Sequence, residues 1–202
     1  MAGLREQKRD RTRKAIVSAA QRLFVDRGFE QTTVSEIAAT AEVGRRTFFH
    51  YFDSKDELLF ADADARIDAA LEAIRTRGEH ETPAQLLIRA LDSARITDTD
   101  FGDGSAALRI RLALEIPSVA GRGALLQAAA QQRIGHALRL AFPDQFDEVS
   151  SAAMVGAFIG AVGAAVETIQ LTMPDATPAA KQIALRDGLR RALTNDAQTV
   201  AP

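Results

Sequence analysis

An all-α protein of about nine helices is the fold class that the sequence predicts. Three observations carry it. Apolar residues recur at spacings of three and four along most of the chain. No segment of useful length alternates with period two. The interruptions fall at helix caps, glycines and prolines. With 202 residues, 47% of them hydrophobic and 26% charged, the chain can bury a core and is neither disordered nor collagen-like in composition.

The elements follow in order. Ile16, Ala19, Ala20, Leu23 and Phe24 form one stripe, which predicts a helix over 11–27, and Gly28 supplies the left-handed residue that ends it. Thr33-Val34-Ser35-Glu36 is a capping box, so a second helix starts there and buries Val34, Ile37, Ala38 and Ala41. Glu42-Val43-Gly44 reads as a short, glycine-containing turn, with Gly44 as a tolerable cap of the helix that follows. A short third helix runs from about Arg45 to Phe52, with Phe48 and Phe52 one turn apart as core residues. Ser54 caps a long helix expected over 56–77, which carries Leu58, Leu59, Ile67, Ala70, Leu71 and Ile74. Thr82-Pro83 opens the next helix, with proline at the first helical position. Residues 97–104 (TDTDFGDG) are the clearest loop. Helices are then expected over 105–116, 118–142, 147–172 and 178–193, the first three stopped by Pro117, Pro143 and Pro174.

Charge divides the chain. Residues 1–55 hold eleven Lys and Arg against seven acids, a net of +4, while the remainder carries −6. A basic segment of this kind points to an anionic partner at that end. Residues 34–52 read as helix, turn and short helix, which is the helix-turn-helix unit. In that unit the second helix enters the major groove, N-terminal residues first. Here it opens with Arg45, Arg46 and Thr47. Arginine can bond O6 and N7 of guanine bidentately, and a threonine methyl can touch thymine. Two adjacent arginines suggest half-sites containing G and C. Phe49, His50 and Tyr51 follow on the same helix, and Lys55 precedes the next, where a cation can hold phosphate.

The stretch RKAIVSAAQRLFVDRGFEQTTVSEIAATAEVGRRTFFHYFDSKDELL resembles the DNA-binding domain of the TetR family of bacterial transcriptional regulators. The resemblance covers about a quarter of the chain. It implies that Thr33 and Lys55 contact phosphate, that Arg45, Arg46 and Thr47 contact bases, and that Phe49, His50 and Tyr51 make mixed contacts. The chain departs from the family pattern at Gly44, where serine is common, and at Phe49, where tyrosine is common; each departure removes a hydroxyl. The basic N-terminal arm (Arg5, Lys8, Arg9, Arg11, Arg13, Lys14) reads equally as a solvated tail or as a second DNA contact.

The resemblance assigns residues 1–55 to DNA binding and 56–202 to ligand binding and dimerisation. It implies a homodimer whose last two helices form a four-helix bundle, holding a pseudo-palindromic double-stranded operator. A small-molecule effector would bind among the helices after residue 56 and release the DNA, with helix 56–77 as a rigid lever. Candidate effector-binding residues are Phe101, Arg109, Leu112, Glu115, His136, Phe158 and Val162. The Leu/Ala/Val-rich interior favours a hydrophobic ligand. VGRRTFFHYF and ALRIRLALEIP also resemble an actinobacterial subset linked to mycofactocin regulators, which implies an acyl-thioester-like or other apolar ligand. Repression is the family expectation; activation, and sequence-tolerant DNA binding without effector control, are the alternatives.

Other classes are not supported by the residues. Zero cysteines exclude a disulfide scaffold, a thiol nucleophile and a thiolate metal site. Three histidines without metal spacing, no catalytic constellation and no phosphate loop argue against an enzyme, and no cofactor or metal is expected. The uncharged run 149–166 reaches the lower limit of a membrane span, but its Ala/Gly/Ser content and flanking Glu148 and Glu167 favour a buried helix at a helix–helix interface. No membrane partner and no secretory signal are expected, and the cytoplasm is the expected location.

Overall fold

A computed structural model of the chain describes residues 2–94 and 105–194. The described residues hold nine helices of seven or more residues and one single-turn helix, with no strand. They divide into two compact units, one running to Ala61 and the other starting at Asp62, six residues past the expected boundary at 55.

In the first unit α1 spans Ala2–Arg27. It therefore starts nine residues before the expected helix, and the basic arm from Arg5 to Lys14 stands on a helix. That segment is rich in Glu, Gln, Lys and Arg, which favour helix without any apolar stripe. Ile16, Ala19, Ala20, Leu23 and Phe24 are buried as their spacing predicts. Gly28, at φ +87°, ends the helix, and its N–H donates to Phe24 O at 3.1 Å. The buried Thr32 hydroxyl donates to Gly28 O at 2.8 Å, satisfying a carbonyl at the helix end.

α2 (Val34–Thr40) carries the full capping box. Thr33 Oγ1 accepts the Glu36 N–H at 3.2 Å, and Glu36 Oε2 accepts the Thr33 N–H at 2.8 Å. The helix ends in a Schellman motif, with Val43 N–H donating to Ala38 O at 2.9 Å and Glu42 N–H to Ala39 O at 3.1 Å. The left-handed residue of this turn is Glu42, at φ +55°. Gly44 sits at φ −72° and is the N-cap of α3 (Arg45–Tyr51) with no side-chain cap bond, as expected where the common serine is replaced by glycine. The strain of the turn thus lies on a residue with a Cβ. Glu42→Gly is expected to raise the stability of this unit by about 1 kcal/mol. Chemical denaturation checks this, and a neutral or destabilising effect would refute the assignment.

α4 is only Lys55–Leu58. The single helix expected over 56–77 is broken, because α5 begins at Ala63. Leu59 and Phe60 N–H groups donate three residues back, to Asp56 O at 3.2 Å and Glu57 O at 3.0 Å, and Ala61 O accepts the Arg13 guanidinium. The tightened turn at Leu59 and Phe60 interrupts the helical ladder, so 56–77 is not one continuous helix.

The second unit contains α5 (Ala63–Arg75), α6 (Pro83–Ser93), α7 (Ser105–Glu115), α8 (Pro117–Ala141), α9 (Glu148–Thr172) and α10 (Pro178–Thr194). Ile74, Leu86, Leu87, Leu138, Val155, Leu185 and Leu189 form its core. α8 and α9 approach closely where Gly135 faces the backbone of Ala152; a Cβ there would lie 3.6 Å from Ala152 Cα. The α5–α6 connection is tied by Arg89, whose guanidinium meets Glu81 in two bonds of 2.7 Å and donates to Ala73 O at 2.9 Å. This contact holds the Glu81 carboxyl below its ordinary range.

α9 is long and apolar enough to cross a membrane by length and composition. It was expected to be buried all round, yet within the single chain only one side is. Ser151, Val155, Phe158, Val166 and Ile169 face the core. At 100° per residue the stripe Val149, Ala153, Ala157, Gly160, Ala164, Thr168 and Leu171 lies opposite, and it is exposed. Gly160 and Gly163 have open space where a Cβ would stand, whereas Gly156 faces the Gln131 side chain of α8.

Candidate nucleic-acid interface

The α3 wheel separates its residues sharply. Phe48 is fully buried and touches the rings of Phe49 (centroids 5.4 Å) and Phe52 (5.9 Å). Around the opposite side Arg45, Phe49, Arg46 and His50 follow one another, and all four are exposed; Thr47 and Tyr51 flank them half-buried. Phe52 is buried beneath the Arg13 guanidinium, 5.2 Å from its ring centre. The short helix is therefore anchored by two phenylalanines and presents two arginines, an aromatic ring and a histidine outward. α3 contains no acid.

The outward groups differ in freedom. The Arg45 guanidinium lies 5.7 Å from the Phe49 ring centre, an attraction that restrains it over the helix surface. Phe49 is 46% exposed, with the rest of its ring against Phe48 and Arg45. His50 stacks edge-on to Tyr51 at 5.5 Å. Arg46 is exposed. Five donors on one guanidinium suit a bidentate contact to a planar acceptor pair.

The two residues expected to contact phosphate each have partners within the chain. The Thr33 hydroxyl donates to Glu36 Oε2 at 2.8 Å, so its proton is committed within the capping box. The same box holds the Glu36 carboxyl below its usual range, chiefly through the Thr33 backbone N–H, then its hydroxyl, with Arg27 at 3.1 Å adding to both. Lys55 Nζ donates to three carbonyls, Phe29 O at 2.8 Å, Glu30 O at 3.2 Å and Thr32 O at 3.2 Å. It also lies 4.4 Å from the Phe29 ring centre. An ammonium has three protons, and all three have protein acceptors here. Neither Lys55 nor Arg13 could be assigned these partners from the sequence, since the acceptors are main-chain carbonyls.

The second unit holds a half-open cavity of about 390 Å³. It is lined mainly by aliphatic and small residues of α5, α6, α8 and α9, among them Ile67, Ala70, Leu87, Ala90, Ile134 and Val155, with Arg66, Arg109 and Gln127 as polar groups. Of the seven candidate effector residues, Arg109, Phe158 and Val162 line it. Leu112 is buried but does not line it, Glu115 and His136 are exposed outside it, and Phe101 lies outside the described residues. Arg66 and Gln127 also line it, Arg66 half-buried and Gln127 exposed at its mouth, and nothing in the sequence distinguishes them from other polar residues on helices. Among the described residues no group of three His, Cys, Asp or Glu is placed to hold a metal ion.

Comparisons with known proteins agree with this geometry. Residues 16–61 match the family model described as bacterial regulatory proteins, tetR family. The chain is 36% identical over 112 residues to the HTH-type transcriptional regulator TcmR of Streptomyces glaucescens, covering 54% of this chain and 50% of that protein. It is 38% identical over 81 residues to the HTH-type transcriptional regulator BetI of Rhizobium meliloti, covering 38% and 40%. The matched region thus spans half or less of these curated relatives. By structure, the chain is similar to Thermus thermophilus FadR, a TetR family transcriptional repressor solved in complex with lauroyl-CoA, with TM-score 0.58, 21% identity, and 94% and 97% of the two chains covered. A TetR-family regulator from Syntrophomonas wolfei superposes with TM-score 0.68 at 14% identity, covering 90% and 94%. At these identities the likeness speaks for the fold: a helix-turn-helix unit followed by a helical second unit.

Proposed function

We propose that the chain, whose residues 16–61 match the TetR-family DNA-binding model, works as a homodimer on a pseudo-palindromic operator and releases the DNA when a small apolar effector binds. The observation that carries this reading is the outer face of α3, where Arg45, Arg46, Phe49 and His50 stand exposed on a helix locked from behind by Phe48. Two exposed arginines on the second helix of such a unit suit contacts to guanine in a major groove. Repression follows most simply, since a bound dimer occludes the DNA that it covers, and the site of action is the cytoplasm.

Dimerisation is supported by the exposed stripe on α9. A run of small and apolar residues from Val149 to Leu171, with Gly160 and Gly163 open to close approach, is unfavourable in water and suits a second copy of the same helix. A two-fold dimer would also set two α3 helices about one turn of DNA apart, ~34 Å. The effector reading rests on the cavity. Its volume of about 390 Å³ lies within the range of small-molecule sites, and its aliphatic lining favours an apolar or amphipathic ligand. The lauroyl-CoA bound by the FadR neighbour is of that character.

The test is a fluorescence-anisotropy titration of the full chain on the DNA upstream of its own gene, followed by extract fractions or an acyl-thioester series. Two protomers per duplex and release by an apolar compound support the reading. Val162→Phe, which puts a larger side chain into the cavity, is expected to leave DNA affinity within about threefold and to weaken effector release by tenfold or more, on the order expected for lost cavity volume. Undiminished release would place the effector site elsewhere.

A further inference from the structure

We infer that Phe49 reads the C5-methyl group of a thymine in the operator, and that 5-methylcytosine is accepted in its place; the inference rests on the DNA-reading role proposed for α3. Of the phenylalanines among the described residues, only Phe49 is exposed. Its side chain has no polar atom, so it can bond neither a phosphate nor the donors and acceptors of a base edge. What a ring gains in a major groove is apolar contact, and the C5-methyl of thymine is the apolar group displayed there. At 100° per residue Phe49 stands between Arg45 and Arg46 on the α3 wheel. Both guanidinia suit guanine edges, so the ring faces a base of the same half-site. The ring is also oriented in the free protein. Phe48 lies edge-on to it, with centroids 5.4 Å apart and planes at 82°, and the Arg45 guanidinium lies 5.7 Å from its centre. A side chain already packed on two sides loses little freedom when its open side meets a methyl group. Thr47 also carries a methyl suited to thymine, but it is half-buried and flanks the opposite edge of the reading face. A ring without donor or acceptor cannot tell the O4 of thymine from the N4 amino group of 5-methylcytosine. The methyl group is therefore what it reads.

The experiment uses the full chain and the duplex that it selects from a random pool. Each thymine of the half-site is replaced in turn by deoxyuridine, which removes the methyl group and nothing else. At the position that responds, a C·G pair is then compared with 5-methylcytosine·G. Competition titrations are run on wild type, Phe49→Ser and Thr47→Ser, with folding checked by circular dichroism; Phe49→Gln, a larger polar side chain, replaces Phe49→Ser if the latter is unstable. For wild type one deoxyuridine should weaken binding about fourfold per half-site, the value of one buried methyl group. 5-Methylcytosine should bind about fourfold tighter than cytosine at that position. Both ratios should fall to within about 1.5-fold of unity in the Phe49 variant and persist in Thr47→Ser. A selected half-site without thymine, or one in which no deoxyuridine weakens wild-type binding, would overturn the inference and leave DNA reading by α3 standing. Ratios that persist in the Phe49 variant and vanish in Thr47→Ser would assign the methyl contact to Thr47 and overturn it as well. Equal wild-type binding to unrelated duplexes would strike the DNA-reading proposal itself, and the inference with it.

Discussion

Phe48→Ala is expected to cost about 3–5 kcal/mol and to abolish operator binding. The side chain is fully buried, and its ring contacts those of Phe49 and Phe52, so truncation leaves a cavity at the centre of the first unit. A unit that ends at Ala61 has little reserve, because small domains bury a modest fraction of their surface and are stable by only a few kcal/mol. Thermal unfolding followed by circular dichroism should show an early transition that carries only the first unit's share of helix. The second unit keeps its own core around Leu86, Leu138 and Leu185 and should melt near the wild-type temperature. Operator binding within twofold of wild type would show that α3 is not held by Phe48.

Arg46→Ala is the second large effect. On the proposed operator it should cost on the order of 1–3 kcal/mol per half-site and relax the preference at one base pair. Arg45 is restrained against the Phe49 ring, whereas Arg46 stands exposed beside it on the reading face, so the two should not be equivalent. Arg45→Ala is expected to weaken binding less and to disturb Phe49 as well. Competition titrations against single-base operator variants measure both. An Arg46→Ala protein that keeps the wild-type ranking of variants would remove Arg46 from base reading.

The first unit was legible where local chemistry decides the structure. The Thr33–Glu36 capping box, the Gly28 stop and the Phe48/Phe52 pair are all readable from residue type and spacing, and all stand as expected. What escaped has tertiary or main-chain causes. The N-terminal extension of α1 has helix propensity but no apolar period, so a periodicity criterion starts the helix too late. The break between α4 and α5 falls in LLFADADA, which contains no breaker, so residue type does not mark it. Lys55 was readable as a cation close to α3 in sequence, but its acceptors are carbonyls, which a sequence does not distinguish. The Schellman turn placed its positive φ on Glu42 although a glycine stood two residues later, because the helix end, rather than composition, selects which residue turns left-handed.

The second unit was less legible at its site than in its helices. Pro83, Pro117 and Pro178 mark helix starts in the structure. The cavity is different, because an aliphatic residue lining a pocket has the same sequence pattern as one filling a core. Arg109, Phe158 and Val162 line it, whereas Glu115 and His136, chosen for their chemistry, point elsewhere. The apolar character of α9 was plain, but whether its second face meets its own chain could be seen only in three dimensions.

The most direct test of DNA reading by α3 is selection of bound sites by the full chain from a pool of random duplexes. The expected result is a two-fold repeated half-site, spaced one helical turn (~34 Å) or a multiple of it, in which a guanine position loses its information when Arg46→Ala is selected in parallel. Recovery of unrelated sequences at equal frequency by the wild-type chain would contradict it.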